Sequence, residues 1–237
     1  MQTHWLVQKG HTRCLLFFAG WSMDPRPFQE LDWGRRDVLL FYDYRDLTLP
    51  DLEIFSTRRS STLSRNLELL AWSMGVWVAG HLLADIPLVT ATALGGTCFP
   101  VDDRRGIPVR AWKASIRDFT PAYPEQFHRQ MFDDQAQCDR FLAARPGRTG
   151  SSLHGELTRL DRSVSDLGPA PDIYTRRIIT TRDRIFPPRN QVRAWRRGTA
   201  TSIKLPHFPF YAPDSRPRFW ENNTPVSGPP PVRAYRS

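Results

Sequence analysis

The sequence predicts an α/β fold built on a mostly parallel sheet, and three observations support this prediction. Short runs of apolar residues recur along the chain, each long enough for a strand that is buried on both faces. Helix-like segments lie between several of these runs. Polar, glycine-containing or proline-containing turns close them. Buried strands that alternate with helices are typical of α/β proteins with a mostly parallel sheet.

The predicted elements follow in chain order. Five buried strands are expected, at residues 12–18, 37–42, 67–72, 88–94 and 177–181. A helix is expected directly after the third strand, over 74–83, and another after the fifth, over 189–197. A sixth, short strand precedes His207. The strands and the helices that follow them form one repeating scheme, in which functional side chains collect at the carboxyl ends of the strands.

The chain divides into a core, an insertion and a tail. Residues 1–105 and 172–212 carry the strand pattern and form the predicted core. Residues 106–171 contain no β-like run, and apolar residues at helical spacing predict a helical lid insertion there. Residues 213–237 are rich in proline and are expected to be largely disordered.

Several classes of protein are excluded. No apolar run approaches the roughly 18 residues that a membrane span needs, and the first residues do not resemble a signal peptide. The three cysteines are too widely spaced for a disulfide framework or a zinc site. We therefore expect a cytoplasmic protein with no membrane association.

The charge is unusual and has two explanations. The formal net charge is +9 and the sequence pI is about 10.1, with arginine supplying 30 of the 33 basic residues. A nucleic-acid-binding protein or an enzyme that docks an acidic partner would have such a charge. Biased codon usage explains the preference for arginine over lysine equally well. The sequence contains no helix-turn-helix, RNP or zinc pattern, so nucleic acid is not the expected partner.

The third strand runs into a candidate nucleophile. Ser73 is flanked two residues away by Ala71 and Gly75, and the pattern joins a strand to a helix. In a nucleophile elbow the serine occupies a strained turn, and small residues at these two positions avoid clashes. The pattern alone is weak, and the strand before it and the helix after it give it weight. We predict that Ser73 is a catalytic nucleophile.

A serine nucleophile requires a base and an acid that orients the base, and in such folds the acid precedes the histidine in the chain. Asp183 follows the fifth strand directly, and His207 follows the sixth. Asp172 and Asp161 are the competing acids, and a helix-capping or surface role is the alternative for Asp183. The predicted triad is Ser73, Asp183 and His207.

An oxyanion hole needs a second N–H group from the loop after the first strand. Gly20 lets the backbone approach the substrate there, and the Trp21 N–H is the candidate donor beside the Met74 N–H. Trp21 as a core aromatic residue is the alternative, and both roles are compatible because the donor is a backbone group.

Four segments together resemble one family. They are Phe-Phe-Ala-Gly-Trp-Ser-Met-Asp (17–24), Ala-Trp-Ser-Met-Gly-Val-Trp (71–77), Pro-Val-Asp-Asp-Arg-Arg-Gly-Ile-Pro (100–108) and Pro-His-Phe-Pro-Phe (206–210). This combination is similar to that of the BioG-type pimeloyl-acyl-carrier-protein methyl ester esterases. The resemblance covers roughly residues 10–211. It departs from the family pattern in the serine- and arginine-rich stretch 56–65 and after residue 210.

The resemblance implies an α/β-hydrolase with helices on both faces of the sheet and a helical lid. It implies hydrolysis of the methyl ester of a pimeloyl chain carried by acyl carrier protein, with no metal or organic cofactor. From their place in the lid, Phe141 and Leu142 are expected to line the acyl channel and Arg140 to dock the carrier protein. A general esterase or thioesterase with the same triad, and a basic nucleic-acid-binding or scaffold protein, are the alternatives.

Overall fold

A computed structural model describes residues 1–51, 66–196, 198–212 and 219. Seven strands form one sheet in the order β1-β3-β2-β4-β5-β6-β7. All neighbouring pairs are parallel except β1 and β3, which are antiparallel. The strands are β1 (Gln2–Val7), β2 (Arg13–Phe18), β3 (Asp37–Tyr42), β4 (Asn66–Trp72), β5 (Thr90–Leu94), β6 (Arg176–Thr180) and β7 (Thr201–Ile203). The predicted mostly parallel sheet is confirmed.

The central strands are buried because their side chains alternate between two apolar clusters, one on each face of the sheet. In β2, Leu16 and Phe18 enter one cluster and Leu15 and Phe17 enter the other. All four side chains are buried. This explains why the strand reads as an uninterrupted apolar run and not as an alternating one.

Helices cover both faces. They are α1 (Met74–Leu82), α2 (Val109–Arg117), α3 (Tyr123–Gln130), α4 (Gln135–Ala143), α5 (Gly150–Leu167) and α6 (Pro188–Ala194). Trp77 of α1 and Leu157 of α5 pack in the first cluster, whereas Phe141 of α4 packs in the second. None of the helices in the described part of the chain is both long and apolar enough to cross a membrane.

The region between β5 and β6 is helical, and α2 to α5 lie within it. Its attachment to the sheet includes a buried ionic group. The Arg148 guanidinium lies 3.0 Å from an Asp43 carboxylate oxygen and 2.6 Å from a Glu156 carboxylate oxygen. The Tyr44 N–H donates to Glu156 at 2.8 Å. We call Asp43, Arg148 and Glu156 the buried ion cluster.

Three features differ from the sequence-based expectation or lie outside it. Strand β1 was not predicted, and it extends the sheet beyond β3 at an edge. Of the tail predicted to be disordered, residues 213–218 and 220–237 lie outside the described residues. Phe219 is described and is buried, with its ring centroid 6.0 Å from that of Phe210. The stretch 56–65 also lies outside the described residues.

Candidate active site

The turn between β4 and α1 holds Ser73 in a strained backbone conformation. Its φ of 59° and ψ of −126° lie in a region that residues with a side chain rarely adopt. Gly75 makes this turn possible, since a Cβ there would lie only 2.3 Å from the Phe18 carbonyl oxygen. The predicted need for a small residue two positions after the serine is therefore confirmed.

Three side chains predicted from different parts of the chain lie in hydrogen-bond contact. His207 Nε2 is 2.9 Å from Ser73 Oγ, and His207 Nδ1 is 2.8 Å from Asp183 Oδ2. All three residues are buried. Because a carboxylate only accepts, Nδ1 carries the proton that is donated to Asp183, and Nε2 accepts from the Ser73 hydroxyl. This is the geometry that a serine nucleophile and its general base require.

Asp183 lies in the acid loop, residues 180–186, and its carboxylate accepts several hydrogen bonds that the sequence did not predict. Besides His207, four groups donate to its carboxylate: the Thr180 hydroxyl at 2.8 Å, the Gln191 amide at 3.1 Å, and the Ile185 and Phe186 N–H groups, both at 2.8 Å. Together these hydrogen bonds fix the orientation of the carboxylate.

The competing acids lie elsewhere. Asp172 pairs with Arg177 at 2.8 Å, and Asp161 accepts from Lys113 at 2.7 Å and from the Trp112 indole at 2.9 Å. Neither carboxylate contacts His207. The geometry therefore favours Asp183 as the orienting acid.

The histidine loop is fixed from two sides. The Trp72 indole N–H donates to the His207 carbonyl at 2.7 Å, and the Phe208 N–H donates to the Met131 carbonyl at 3.0 Å. The Phe186 ring lies parallel to the imidazole, with 6.1 Å between the ring centroids. His207 is thus held both by Trp72 at the end of β4 and by the end of α3.

The predicted oxyanion loop, residues 19–24, passes close to Ser73. A Cβ on Gly20 would lie 3.1 Å from Ser73 Cβ and 3.3 Å from its Oγ, so the loop approaches as closely as a glycine permits. Among the described residues, no hydrogen-bond partner is found for the Trp21 N–H or the Met74 N–H. The Met74 N–H opens α1 and has no acceptor within the helix.

The Trp21 side chain also belongs to the core. It is 5% exposed, its indole N–H donates to the Leu153 carbonyl at 3.1 Å, and its ring packs edge-on against Phe127. The two roles considered for Trp21 are compatible in the structure, since the side chain points into the helical region while the backbone runs beside Ser73.

A second serine–histidine contact lies beside the first. Ser22 follows Trp21, has a φ of 73°, and its Oγ lies 2.9 Å from His128 Nε2 on α3. The pKa of His128 is lowered to about 4, mainly by burial and also by the nearby Arg145, while Glu125 partly opposes the shift. His128 is therefore neutral near pH 7. Sequence reasoning assigned it no functional role, and no local pattern connects the two residues across 106 positions.

The three residues that the sequence analysis placed in a lid occupy different environments. Phe141 is fully buried and packs against Phe208 with 5.0 Å between ring centroids, whereas Leu142 is half-buried. The Arg140 guanidinium lies 3.6 Å from Glu30 and 4.2 Å above the Tyr211 ring. Arg140 therefore already has an acidic and an aromatic partner.

The sheet, the elbow and the paired serine and histidine define a protein of the α/β-hydrolase class. The family model "Pimeloyl-ACP methyl esterase BioG" matches residues 1–221. The chain belongs to this family, and the resemblance stated from the sequence is confirmed.

Three similar proteins add detail. The crystal structure of BioG from Haemophilus influenzae is 32% identical, with a TM-score of 0.77 over 89% of this chain and 95% of that one. An esterase from Exiguobacterium antarcticum shares the fold, with a TM-score of 0.57 at 15% identity over 92% of this chain and 91% of that one.

A malonyl-[acyl-carrier protein] O-methyltransferase of Bacteroides fragilis is 37% identical over 185 residues, which is 77% of this chain. The matched part is only 36% of that relative. The chain thus spans about a third of its length.

Proposed function

We propose that this protein is a serine carboxylesterase that hydrolyses the methyl ester of pimeloyl-[acyl-carrier protein] in biotin synthesis. The observation that carries the proposal is the continuous hydrogen-bonded chain from Ser73 through His207 to Asp183, in a member of a family named for this reaction. The strained backbone of Ser73 supports it, because such strain is concentrated at functional sites.

In the proposed first half-reaction, Ser73 Oγ attacks the ester carbonyl and His207 Nε2 takes the hydroxyl proton. Asp183 holds the tautomer of His207 and stabilises the imidazolium. The carbonyl oxygen becomes an oxyanion, which accepts from the N–H groups of Trp21 and Met74. When the tetrahedral intermediate collapses, the bond between the carbonyl carbon and the methoxy oxygen breaks. His207 then protonates the leaving methoxide to methanol.

In the second half-reaction, His207 takes a proton from water and the hydroxide attacks the acyl-enzyme. The bond to Ser73 then breaks, and the proton returns to the serine oxygen. The product has a free carboxylate at one end of the pimeloyl chain, and the thioester at the other end stays intact. No step requires a metal or an organic cofactor.

The helical segment is proposed to act as a lid, with Phe141 and Leu142 near the acyl chain. Two contacts support this role. Phe141 packs on Phe208, the residue after His207, and the Met131 carbonyl at the end of α3 accepts from the Phe208 N–H. The segment is therefore attached next to the proposed general base.

The names of similar proteins support the carrier-protein substrate. The family name specifies a pimeloyl carrier protein, and the Bacteroides relative is named for methylation of a malonyl carrier protein. One reaction forms a methyl ester on such a carrier and the other removes it, so both act on the same chemical class. The match does not support methyl transfer by this chain, because 64% of that relative lies outside it.

The test is hydrolysis of methyl-pimeloyl carrier protein beside free dimethyl pimelate, with the thioester followed by mass spectrometry. We expect release of methanol from the carrier-bound ester and an intact thioester, and a higher kcat/KM for the carrier substrate. Cleavage of the thioester would indicate a thioesterase. Equal kcat/KM for both esters would indicate a general esterase.

A further inference from the structure

The general base of the proposed mechanism lies beyond the end of the sheet. Strand β7 is three residues long and ends at Ile203, before the chain reaches His207. The last contact between this chain end and the acid loop is the Arg182 N–H, which donates to the Leu205 carbonyl at 3.0 Å. In the described part of the chain, no strand pairing reaches His207 itself. The position of its backbone therefore depends on other contacts.

A side chain from the strand before the proposed nucleophile supplies one of these contacts. Trp72 is the last residue of β4 and directly precedes Ser73. Its indole N–H donates to the His207 carbonyl at 2.7 Å, across 135 positions of the chain. No second donor to this carbonyl is found among the described residues. Ser73 and His207 are thus joined by the hydrogen bond between their side chains and, separately, through the indole of Trp72.

The indole of Trp72 has little freedom to move. The side chain is 1% exposed, and one of its edges lies against the predicted oxyanion loop, where a Cβ on Gly20 would be 3.2 Å from Trp72 Cζ3. Three rings pack edge-on against the indole, with centroid distances of 6.4, 5.4 and 5.3 Å for Phe28, Phe208 and Phe210. Close packing of this kind holds a side chain in one rotamer. The donor is therefore preorganised.

The acceptor distinguishes Trp72 from two other buried tryptophans. The Trp77 indole donates to the Gly168 carbonyl at 2.8 Å, and the Trp33 indole donates to the Phe28 carbonyl at 3.3 Å. These contacts satisfy a buried N–H group, as the burial of an indole requires. The Trp72 contact does the same, but its acceptor belongs to a residue of the proposed triad. A role beyond stability is therefore specific to its position.

We propose that Trp72 is a positioning residue, whose indole N–H holds the His207 backbone so that the imidazole meets Ser73 Oγ. The inference rests on the proposed function and adds a residue to its machinery. A general base must lie within hydrogen-bond reach of the proton that it takes, and a displacement of about 1 Å can lower turnover by about 100-fold. Since the indole acts on the base and not on the ester, its loss should lower kcat and leave KM nearly unchanged.

The first test compares Trp72→Phe with Trp77→Phe. Each substitution shortens a buried aromatic side chain and removes one indole hydrogen bond of nearly the same length. Both variants should therefore lower the urea midpoint to a similar extent. We expect kcat for methyl-pimeloyl carrier protein to fall by about 10-fold to 100-fold in Trp72→Phe, with KM within about threefold, and to stay within about twofold in Trp77→Phe. Equal loss of kcat in the two variants, or wild-type kcat in Trp72→Phe, would overturn the proposal.

An isosteric analogue separates the hydrogen bond from the packing of the ring. Replacing Trp72 with benzothienylalanine by nonsense suppression puts sulfur in place of the indole N–H and nearly preserves the shape of the side chain. The contact with Gly20 is then retained, whereas Trp72→Phe disturbs it. We expect kcat of the analogue to fall almost as far as in Trp72→Phe, and protein with tryptophan inserted by the same method is the control. Wild-type kcat in the analogue would assign the effect to packing and refute the positioning role.

Two readouts that need no ester separate this proposal from the proposed function. One is the rate at which a fluorophosphonate modifies Ser73, which depends on the serine and its base. The other is the proton resonance of the Nδ1–H group that His207 donates to Asp183, which reports the orientation of the imidazole. In Trp72→Phe the modification rate should fall by about tenfold or more, and the resonance should shift or broaden. Trp77→Phe should match the wild type in both readouts.

The combined outcomes distinguish the two proposals. A slow, Trp72-dependent modification of Ser73 in a protein that hydrolyses no carrier-bound ester would support the positioning role and refute the esterase. Ester hydrolysis, with equal modification rates and an unmoved resonance in both variants, would do the reverse. A wild-type protein in which the fluorophosphonate leaves Ser73 unmodified would refute both.

Discussion

The two sides of the proposed active site are built in different ways. On the acid side, Asp183 receives five hydrogen bonds from residues anchored to β6, α6 and the histidine loop. On the oxyanion side, the loop that bears Trp21 is joined to the helical segment by the Ser22–His128 contact and by packing of the indole. The contacts of the proposed acid thus come mainly from the sheet and α6, whereas the proposed oxyanion donor lies in a loop that is joined to the helical segment.

Because of this difference, we expect substitutions on one side to reduce turnover and substitutions on the other side to reduce stability. A substitution on the acid side should reduce turnover while the protein stays folded, because the strands of the sheet pair without those side chains. A change under the helical segment should act mainly through stability, because the buried ion cluster lies in its attachment to the sheet. Four predictions test the comparison, in order of decreasing effect.

Ser73→Ala should reduce kcat on the order of 10⁶-fold, because the nucleophile is lost while the elbow accepts a small residue. Circular dichroism and the urea midpoint should match the wild type. A purified variant that retained more than about a tenth of the activity would exclude the serine mechanism.

Asp183→Asn should lower kcat by about 10⁴-fold with little change in KM, since an amide permits the wrong tautomer of His207. Asp172→Asn is the matched control, because it removes an aspartate in an exposed ion pair with Arg177. If Asp172→Asn strongly lowers kcat and Asp183→Asn has only a small effect, the acid has been assigned to the wrong residue.

Arg148→Met should destabilise the fold by about 3–5 kcal/mol, because Asp43 and Glu156 would lose their buried counter-charge. Burial already raises the pKa of Glu156, and Arg148 opposes that effect. Urea unfolding measures the change. Arg117→Met, which disrupts an exposed pair with Asp118, should cost less than about 1 kcal/mol. Equal losses in the two variants would contradict the comparison.

His128 should make stability depend on pH. Its pKa is about 4 in the folded protein against 6.5 for an ordinary histidine, so the unfolded chain binds more protons between these values. The part of the free energy of unfolding that depends on His128 is at its maximum above pH 6.5 and decreases as the pH falls towards 4. Between about pH 7 and about pH 5 the loss should reach about 2 kcal/mol.

Urea unfolding at the two pH values tests this contribution. His128→Asn should remove that part of the pH dependence. Ser22→Ala should retain it, because the variant keeps the buried histidine and removes only its hydrogen-bond partner. If His128→Asn unfolds with the same pH dependence as the wild type, the histidine is not the titrating group.

Much of the fold could be predicted because it rests on local patterns. The buried parallel strands appear as apolar runs, and β3 is found at the predicted residues 37–42. Strand β1 could not be recognised in this way, since Thr3 and Trp5 are half-buried and alternate with the exposed Gln2 and His4. Its place is set by pairing with β3, which single-chain periodicity does not reveal.

The same distinction applies to the site. Ser73, Asp183 and His207 follow strands, so topology and chain order predicted that they would meet. Gln191 gave no such signal, because its role depends on the angle at which α6 returns to the end of β6. Ser22 and His128 were missed for a similar reason: their contact depends on where the helical segment folds back over the sheet.

The two faces of α6 have a thermodynamic consequence. The inward Gln191 contacts the proposed catalytic acid, and the outward Arg193 is exposed to solvent. If a partner that binds the outer face shifts this helix, the environment of the acid shifts with it. Linkage then requires reciprocity: whatever factor a bound partner applies to the affinity for the ester, the bound ester applies to the affinity for the partner. A single short helix would then couple binding at its outer face to the orientation of the proposed catalytic acid.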